Sequence, residues 1–432
     1  MTRADHSRTR QRAEELGLPL CDAVVRALRQ AAAPGQLAPT LLAVCPNSEA
    51  VLKAAVIAAH EAAAPLCFAA TLNQVDCDRG YTGWTQAEFV ASVRRLVDEV
   101  GYQGPAIIGL DHGGPWLKDK QAKERWPLEQ AMAGIKDSLA AALAAGYDLL
   151  HVDPTVDLTL PPGASMPIEL VISRTLELIT FTEAHRRRAG LPRVSYEVGT
   201  EEVHGGLADL AVFRRFLDGI RAGLAERGLT EAWPVFVVGK VGTDLHTTDF
   251  DPGVARRLVR IAAEYGSVIK GHYTDSVSNP EVYPEVGMGG ANVGPEFTEA
   301  EYQALESLAG EEDRLAAEGR VAQPSGIMAA LREAVVASGR WEKWRVAEEQ
   351  GLPFDQLSRD RQDWLVRTGC RYVWTQPGVV TARTRLYANL RAAGRDGEAV
   401  VLQAIGKVVH KYFRAFRLQG SLRVIEQTMD HW

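Results

Sequence analysis

The chain has 432 residues, 46% of them hydrophobic and 24% charged, a globular composition with ample length for a large core. A net charge of −7 argues against nucleic acid as a main partner while leaving room for a local basic pocket. No apolar run reaches membrane-spanning length, which argues against a membrane partner. Five cysteines (Cys21, Cys45, Cys67, Cys77 and Cys370) show no paired spacing, and Arg3, Arg8 and Arg10 precede no apolar signal core. Free thiols in a reducing, cytoplasmic setting are expected.

Residues 1–40 read as a polar lead-in and one helix from Leu20 to Ala33, broken by Pro34-Gly35. A rhythm then begins. Leu41–Cys45 reads as a strand, Pro46-Asn47-Ser48 as a loop with a helix cap, and Glu49–Ala63 as a helix. Leu66–Thr71 is the second strand, and its loop carries Asn73-Gln74-Val75 and Gly80-Tyr81-Thr82-Gly83. Thr85 caps a helix through Val100. The apolar run Pro105-Ala106-Ile107-Ile108 leads into Gly109-Leu110-Asp111-His112-Gly113-Gly114-Pro115, so an acid and an imidazole stand where a buried strand opens into a loop. The glycines there let backbone come close to a ligand.

A helix follows over 127–145, then the strand Tyr147–Asp153, a helix over 167–189, and the strand Arg193–Gly199 with Glu201 just beyond. Leu207–Arg227 is helical, Trp233–Lys240 is a strand, and its loop holds Asp244 and His246. A helix over 252–265 precedes the strand Ser267–His272, which is followed by Asp275. A shorter eighth strand is expected over Gly290–Gly294. Thr298 and Glu301 have capping-box spacing and predict a helix start.

Eight strand-then-helix units in succession predict an α/β chain folded as a (β/α)8 TIM barrel. The rival, an open doubly wound sheet, lacks its Gly-rich dinucleotide signature here. Beyond the barrel, strands become scarce and Arg and Trp frequent. The expected organisation is a barrel over 1–315 carrying the active site, with a mostly helical extension over 316–432 docked on it. The aromatics of the extension read as packing residues; the alternative is that one arginine, Arg371, reaches an anion at the barrel mouth.

In such barrels reactive groups gather at the C-terminal ends of the strands. The polar residues placed there are Asp111, His112, Asp153, Glu197, Glu201, His246, His272 and Asp275. Each alone has a plain explanation: the Asp111-His112 pair as a hydrogen-bonded strand end, Asp153 before Pro154 as a turn cap, Glu201 as a solvated loop residue. Together they point to one site. His112, His246 and His272 form the best ligand set for a divalent metal; three imidazoles with an open position suit zinc, and the nearby carboxylates admit manganese or cobalt. His151 reads as core, or as support for the ligands. A metal with open positions is a Lewis acid for the carbonyl and adjacent hydroxyl of a ketose. Asp111 is then the base for the C4 hydroxyl proton. Adjacent strand residues point to opposite faces, so Asp111 and His112 must lie where the backbone turns.

These motifs resemble the large-subunit family of class II tagatose-bisphosphate aldolases and the related ketose and ketose-phosphate 4-epimerases. The resemblance is carried by Asn73-Gln74-Val75, Gly80–Gly83, Asp111–Pro115, His151-Val152-Asp153, Tyr196–Glu201, Asp244-Leu245-His246, His272–Asp275 and Val293-Gly294-Pro295, and more weakly by Arg371–Trp374. It implies a barrel, a metal on His112, His246 and His272, and a proton-moving role for Asp111. It also implies that Asp153, Glu197 and Asp275 supply further acid–base groups. Substrate contacts are implied for Asn73, Gln74, Tyr81, Glu201, Asn292 and Arg371. The family contains epimerases, which invert C4 by retro-aldol cleavage and rejoining, and stabilising subunits that partner a separate aldolase chain. The full set of ligands and acids favours the epimerase; the subunit role and a simple aldolase-type lyase are the alternatives, and a homo-oligomer is compatible with each. The last strands lack a Gly-Ser-type phosphate loop, so a free ketose or a sugar acid stands beside a ketose phosphate as substrate.

Overall fold

The computed structural model describes residues 3–32, 37–161, 166–200, 209–243 and 250–432. Its strands are β1 Leu41–Val44, β2 Leu66–Thr71, β3 Ala106–Gly113, β4 Leu149–Val152, β5 Ser195–Gly199, β6 Phe236–Val238, β7 Val268–Gly271 and β8 Gly290–Val293. Each pairs in parallel with the next, and β8 closes on β1 through Leu41 opposite Gly290 and Val44 opposite Val293. The expected (β/α)8 barrel is therefore the fold. Most strand residues are buried, as a parallel strand sheathed in helices requires.

Local signals set several helix ends. Ser48 caps the helix Glu49–Ala62 by accepting from the Val51 amide. Thr85 and Glu88 close a reciprocal capping box on Gln86–Val100, which ends at the left-handed Gly101. The structure departs from expectation in several helices, including the short Asp119–Lys123 and Val282–Val286, which lie outside the expected elements. An additional N-terminal helix spans Arg8–Glu15, capped by Ser7. The helix expected to start at Thr298 starts instead at Pro295 and runs to Ala317, because proline at the first position presets the helical φ. Thr298 and Glu301 lie inside it, buried, and Glu301 accepts a 2.6 Å hydrogen bond from the Ser48 hydroxyl.

The extension is helical and wraps the barrel. Gly397–Ala415 packs on Glu49–Ala62 and on Pro295–Ala317, and Ser421–Asp430 packs on Leu20–Gln30 at the opposite end. The expected boundary at 315/316 falls in the last turn of Pro295–Ala317, and one continuous apolar core runs from Leu41 in β1 to Leu386 in the extension. Near the mouth, Tyr412 donates to the Thr274 carbonyl at 2.9 Å. Among the described residues no helix is long and apolar enough to cross a membrane.

Candidate active site

The end of β3 organises the mouth. Its pairing with β4 shifts register between Leu110 and Gly113, and His112 takes a φ of +52°. This is a bulge, in which one strand carries an extra residue and a left-handed position turns the chain. It meets the requirement that neighbouring Asp111 and His112 both serve one site. Gly114 makes the bulge fit: a Cβ there would stand 1.7 Å from the Asp153 carbonyl oxygen.

The acid of this pair lies deep. Asp111 is buried, and its Oδ2 accepts from Asn292 Nδ2 on β8 at 3.0 Å. Its Oδ1 lies 3.3 Å from His151 Nδ1 and 3.8 Å from His272 Nε2. The rings of His112, His151 and His272 form a triangle with centroids 4.7 to 5.3 Å apart. One donor atom from each of Asp111, His112, His151 and His272 lies within 4.8 Å of all the others. Among the described residues His151 Nε2 has no hydrogen-bond partner. A divalent cation fits this donor set, in which imidazole and carboxylate are mixed.

Carboxylates hold the imidazoles in place. Asp153 Oδ2 is 2.5 Å from His112 Nδ1, and Asp153 Oδ1 accepts from the Thr155 hydroxyl. A carboxylate on one ring nitrogen fixes the tautomer that presents the other to a metal. Glu197 Oε1 is 3.0 Å from His272 Nε2, while Glu197 Oε2 accepts from Lys270 Nζ at 2.6 Å. Asp153 and Glu197, expected as acid–base groups, are thus committed to histidines and to Lys270.

Electrostatics follows from this packing. Burial pushes the Asp111 carboxyl up, but His112, His272, His151 and Lys270 together outweigh it and hold it well below the usual range. Burial likewise raises Glu197, and Lys270 with the two histidines brings it down to about 2. Burial lowers Lys270, yet Glu197 and Asp111 more than restore it, so it stays an ammonium inside the barrel. For His112, burial works against the charged form while Asp111 and Asp153 raise it above the ordinary value. Asp275 is the exception: burial pushes it up to about 6, although its Oδ1 accepts from the amides of Gly294 at 2.9 Å and Glu296 at 2.8 Å.

The other expected contacts divide. Asn73 donates to the Leu117 carbonyl and accepts from the Asp119 amide, bracing the loop after β3. Gln74 donates to Asn47 Oδ1 at 2.9 Å, and the Tyr81 hydroxyl reaches the same oxygen at 3.3 Å. Asn292 Oδ1 has no partner among the described residues. Arg371 is buried, with its guanidinium carbon 4.4 Å from the centre of the Trp344 ring. Glu201 and His246 lie outside the described residues.

Two residues of the site escape a reading by strand ends alone. His151 stands opposite Glu197 in the β4–β5 register, and Lys270 lies two residues before His272 on β7. Counting back two from each terminal acid or imidazole places both on the inner face, since strand side chains alternate. A lysine in the apolar run of a fully sheathed strand is itself a signal.

Known proteins share the architecture. A probable tagatose 6 phosphate kinase from Sinorhizobium meliloti superposes with a TM-score of 0.69 at 23% identity, over 87% of this chain and all of that one. A fructose-bisphosphate aldolase from Campylobacter jejuni gives 0.52 at 12% identity over 92% of both chains. At these identities the likeness is one of fold. The family model described as D-tagatose-1,6-bisphosphate aldolase subunit GatZ/KbaZ-like matches residues 26–422, and the chain belongs to that family.

Proposed function

We propose that this tagatose-bisphosphate aldolase-related protein is a metal-dependent ketose or ketose-phosphate 4-epimerase of the fructose/tagatose type, acting by retro-aldol cleavage and rejoining. The observation that carries the reading is the convergence of Asp111, His112, His151 and His272 within 4.8 Å at the strand ends of the barrel. His112 and His272 would hold a divalent cation, zinc by preference and manganese or cobalt as substitutes, with His246 and His151 as further donors. Such an ion supplies Lewis acidity to the ketose carbonyl.

The chain's own groups do the rest. Asp111 is ionised and held by Asn292, so it is an acceptor for the C4 hydroxyl proton. Asp153 keeps His112 in one tautomer, and Glu197, neutralised by Lys270, does the same for His272. Inversion needs a second acid–base group. Of Asp153, Glu197 and Asp275, only Asp275 is pushed towards neutrality, and it is the best fit.

The family description favours a second reading, a stabilising subunit of an aldolase complex. One experiment separates the readings: metal analysis of the purified protein, coupled to a screen of fructose, tagatose, their phosphates and uronate analogues for inversion at C4. The epimerase requires turnover that chelation abolishes and a His112→Ala variant that loses metal. Full turnover by metal-free protein would sink it. No turnover alone, with co-purification of a separate aldolase chain, would establish the subunit role, and trapped free triose would establish a lyase.

A further inference from the structure

Arg371 lies in the 3-10 turn Cys370–Tyr372 of the extension and is only 7% exposed. Its guanidinium carbon is 4.4 Å from the Trp344 ring centre and 5.0 Å from that of Tyr372. Among the described residues, neither Nε nor Nη2 has a hydrogen-bond partner, while Tyr372 supports the charge from another side of the guanidinium. Burying a charge without pairing it is among the most costly things a fold does. The two orphaned nitrogens are moreover the two of one guanidinium edge. Their N–H bonds run parallel, the arrangement that two oxygens of a carboxylate or phosphate accept together.

The place is as telling as the chemistry. The Tyr372 ring beside Arg371 meets the Tyr81 ring of the loop after β2 edge to face with centroids 5.1 Å apart, and Thr375 donates to the Tyr81 carbonyl at 3.1 Å; the Arg371 charge also bears on Cys45 just past β1 and on Asp275 beyond β7. It therefore belongs to the mouth, on the β8–β1–β2 side. Barrels often bind phosphate beside strands 7 and 8 at a helix N-terminus. Here those amides, Gly294 and Glu296 at the start of Pro295–Ala317, already donate to Asp275. The built-in carboxylate occupies that cradle and leaves the guanidinium edge as the anion-binding group.

We propose that Arg371 is the anion receptor of this mouth, binding two oxygens of a carboxylate or phosphate on the substrate, so that the ketose turned over is an anionic one. The word ketose rests on the function proposed above; the anion does not. The test is calorimetric binding to full-length, EDTA-treated protein with three probes: inorganic phosphate, glucuronate and neutral glucose. Phosphate or glucuronate is expected to bind and glucose not to. Binding of phosphate alone assigns a sugar phosphate, of glucuronate alone a sugar acid.

Arg371→Met should weaken the bound probe by about tenfold or more, and Arg371→Lys, which keeps the charge without the fork, by less. Asp275→Asn should tighten it several-fold by removing a neighbouring negative charge. Failure of both anions to bind, or equal affinity in wild type and Arg371→Met, overturns the proposal. If Arg371→Met does not fold, unchanged affinity in both Arg371→Lys and Asp275→Asn overturns it. Because metal is absent from the assay, lost anion binding with intact metal-dependent turnover sinks only this assignment. The converse result sinks only the reaction.

Discussion

The barrel buries an arginine at each end, and the two are treated differently. At the floor, Arg10 is 4% exposed, and all three of its guanidinium nitrogens donate. They reach Asp5, both oxygens of Asp148 just before β4, and the Ala106 carbonyl at the start of β3. The acceptors are satisfied as well, Asp5 by the Ser7 and Ala106 amides and Asp148 by the Ile108 amide. At the mouth, Arg371 is nearly as buried, yet one whole edge lacks a partner among the described residues. A closed network ties the N-terminal segment to the barrel and needs nothing further. An open one has a place for something that arrives from outside.

The sharpest way to break this contrast is to remove each arginine in turn. Arg10→Met strands two buried carboxylates and should cost about 3–5 kcal/mol in denaturant unfolding. Arg371→Met removes a charge that the fold supports with the Trp344 and Tyr372 rings and with no carboxylate ion pair among the described residues, so its stability should change by less than about 1 kcal/mol in either direction. Equal losses at both ends would mean that the mouth is as closed as the floor.

A smaller effect sharpens the contrast from the carboxylate side. Asp153 accepts from Thr155 and holds His112, so in the proposed site it would orient a ligand without being one. Asp153→Asn should lower metal affinity by about 10- to 100-fold, read by competition with a chelating dye, while the fold keeps most of its stability. An unchanged affinity would show that His112 needs no orienting partner.

How much of this was legible in the chain depends on what each element buries. The eight strands and most helices announce themselves because their buried residues are apolar and periodic. The helix Arg8–Glu15 does not, because the face it buries is Thr9, Arg10 and Ala13. Its burial is made possible by Asp148, well over a hundred residues away, and no local pattern records that. Thr298 and Glu301 carry a cap's spacing, but Pro295 upstream had already started the helix. At the site, Asp111, His112 and His272 stand at strand ends and are found by position. His151 is found only by strand parity. Arg371 is visible as a candidate, but its vacant edge is not, since that depends on which neighbours fail to reach it.

Asp275 yields the finest test, because it stands between the two descriptions of the mouth. Its carboxyl is raised to about 6 by burial, against an ordinary value of 3.8. The folded state then holds the proton more tightly than the unfolded one. The associated stability is fully present below about pH 4 and is lost as pH rises through about 6. Asparagine is neutral at every pH, and its side-chain oxygen still accepts from the Gly294 and Glu296 amides. Asp275→Asn should therefore match the wild type near pH 4 and exceed it by about 1–2 kcal/mol at pH 7, measured by urea unfolding across that range. If the variant is instead the weaker protein at pH 7, the carboxylate is bound to Arg371 as an ion pair. The guanidinium edge would then already be spent, and the mouth would obey the same rule as the floor.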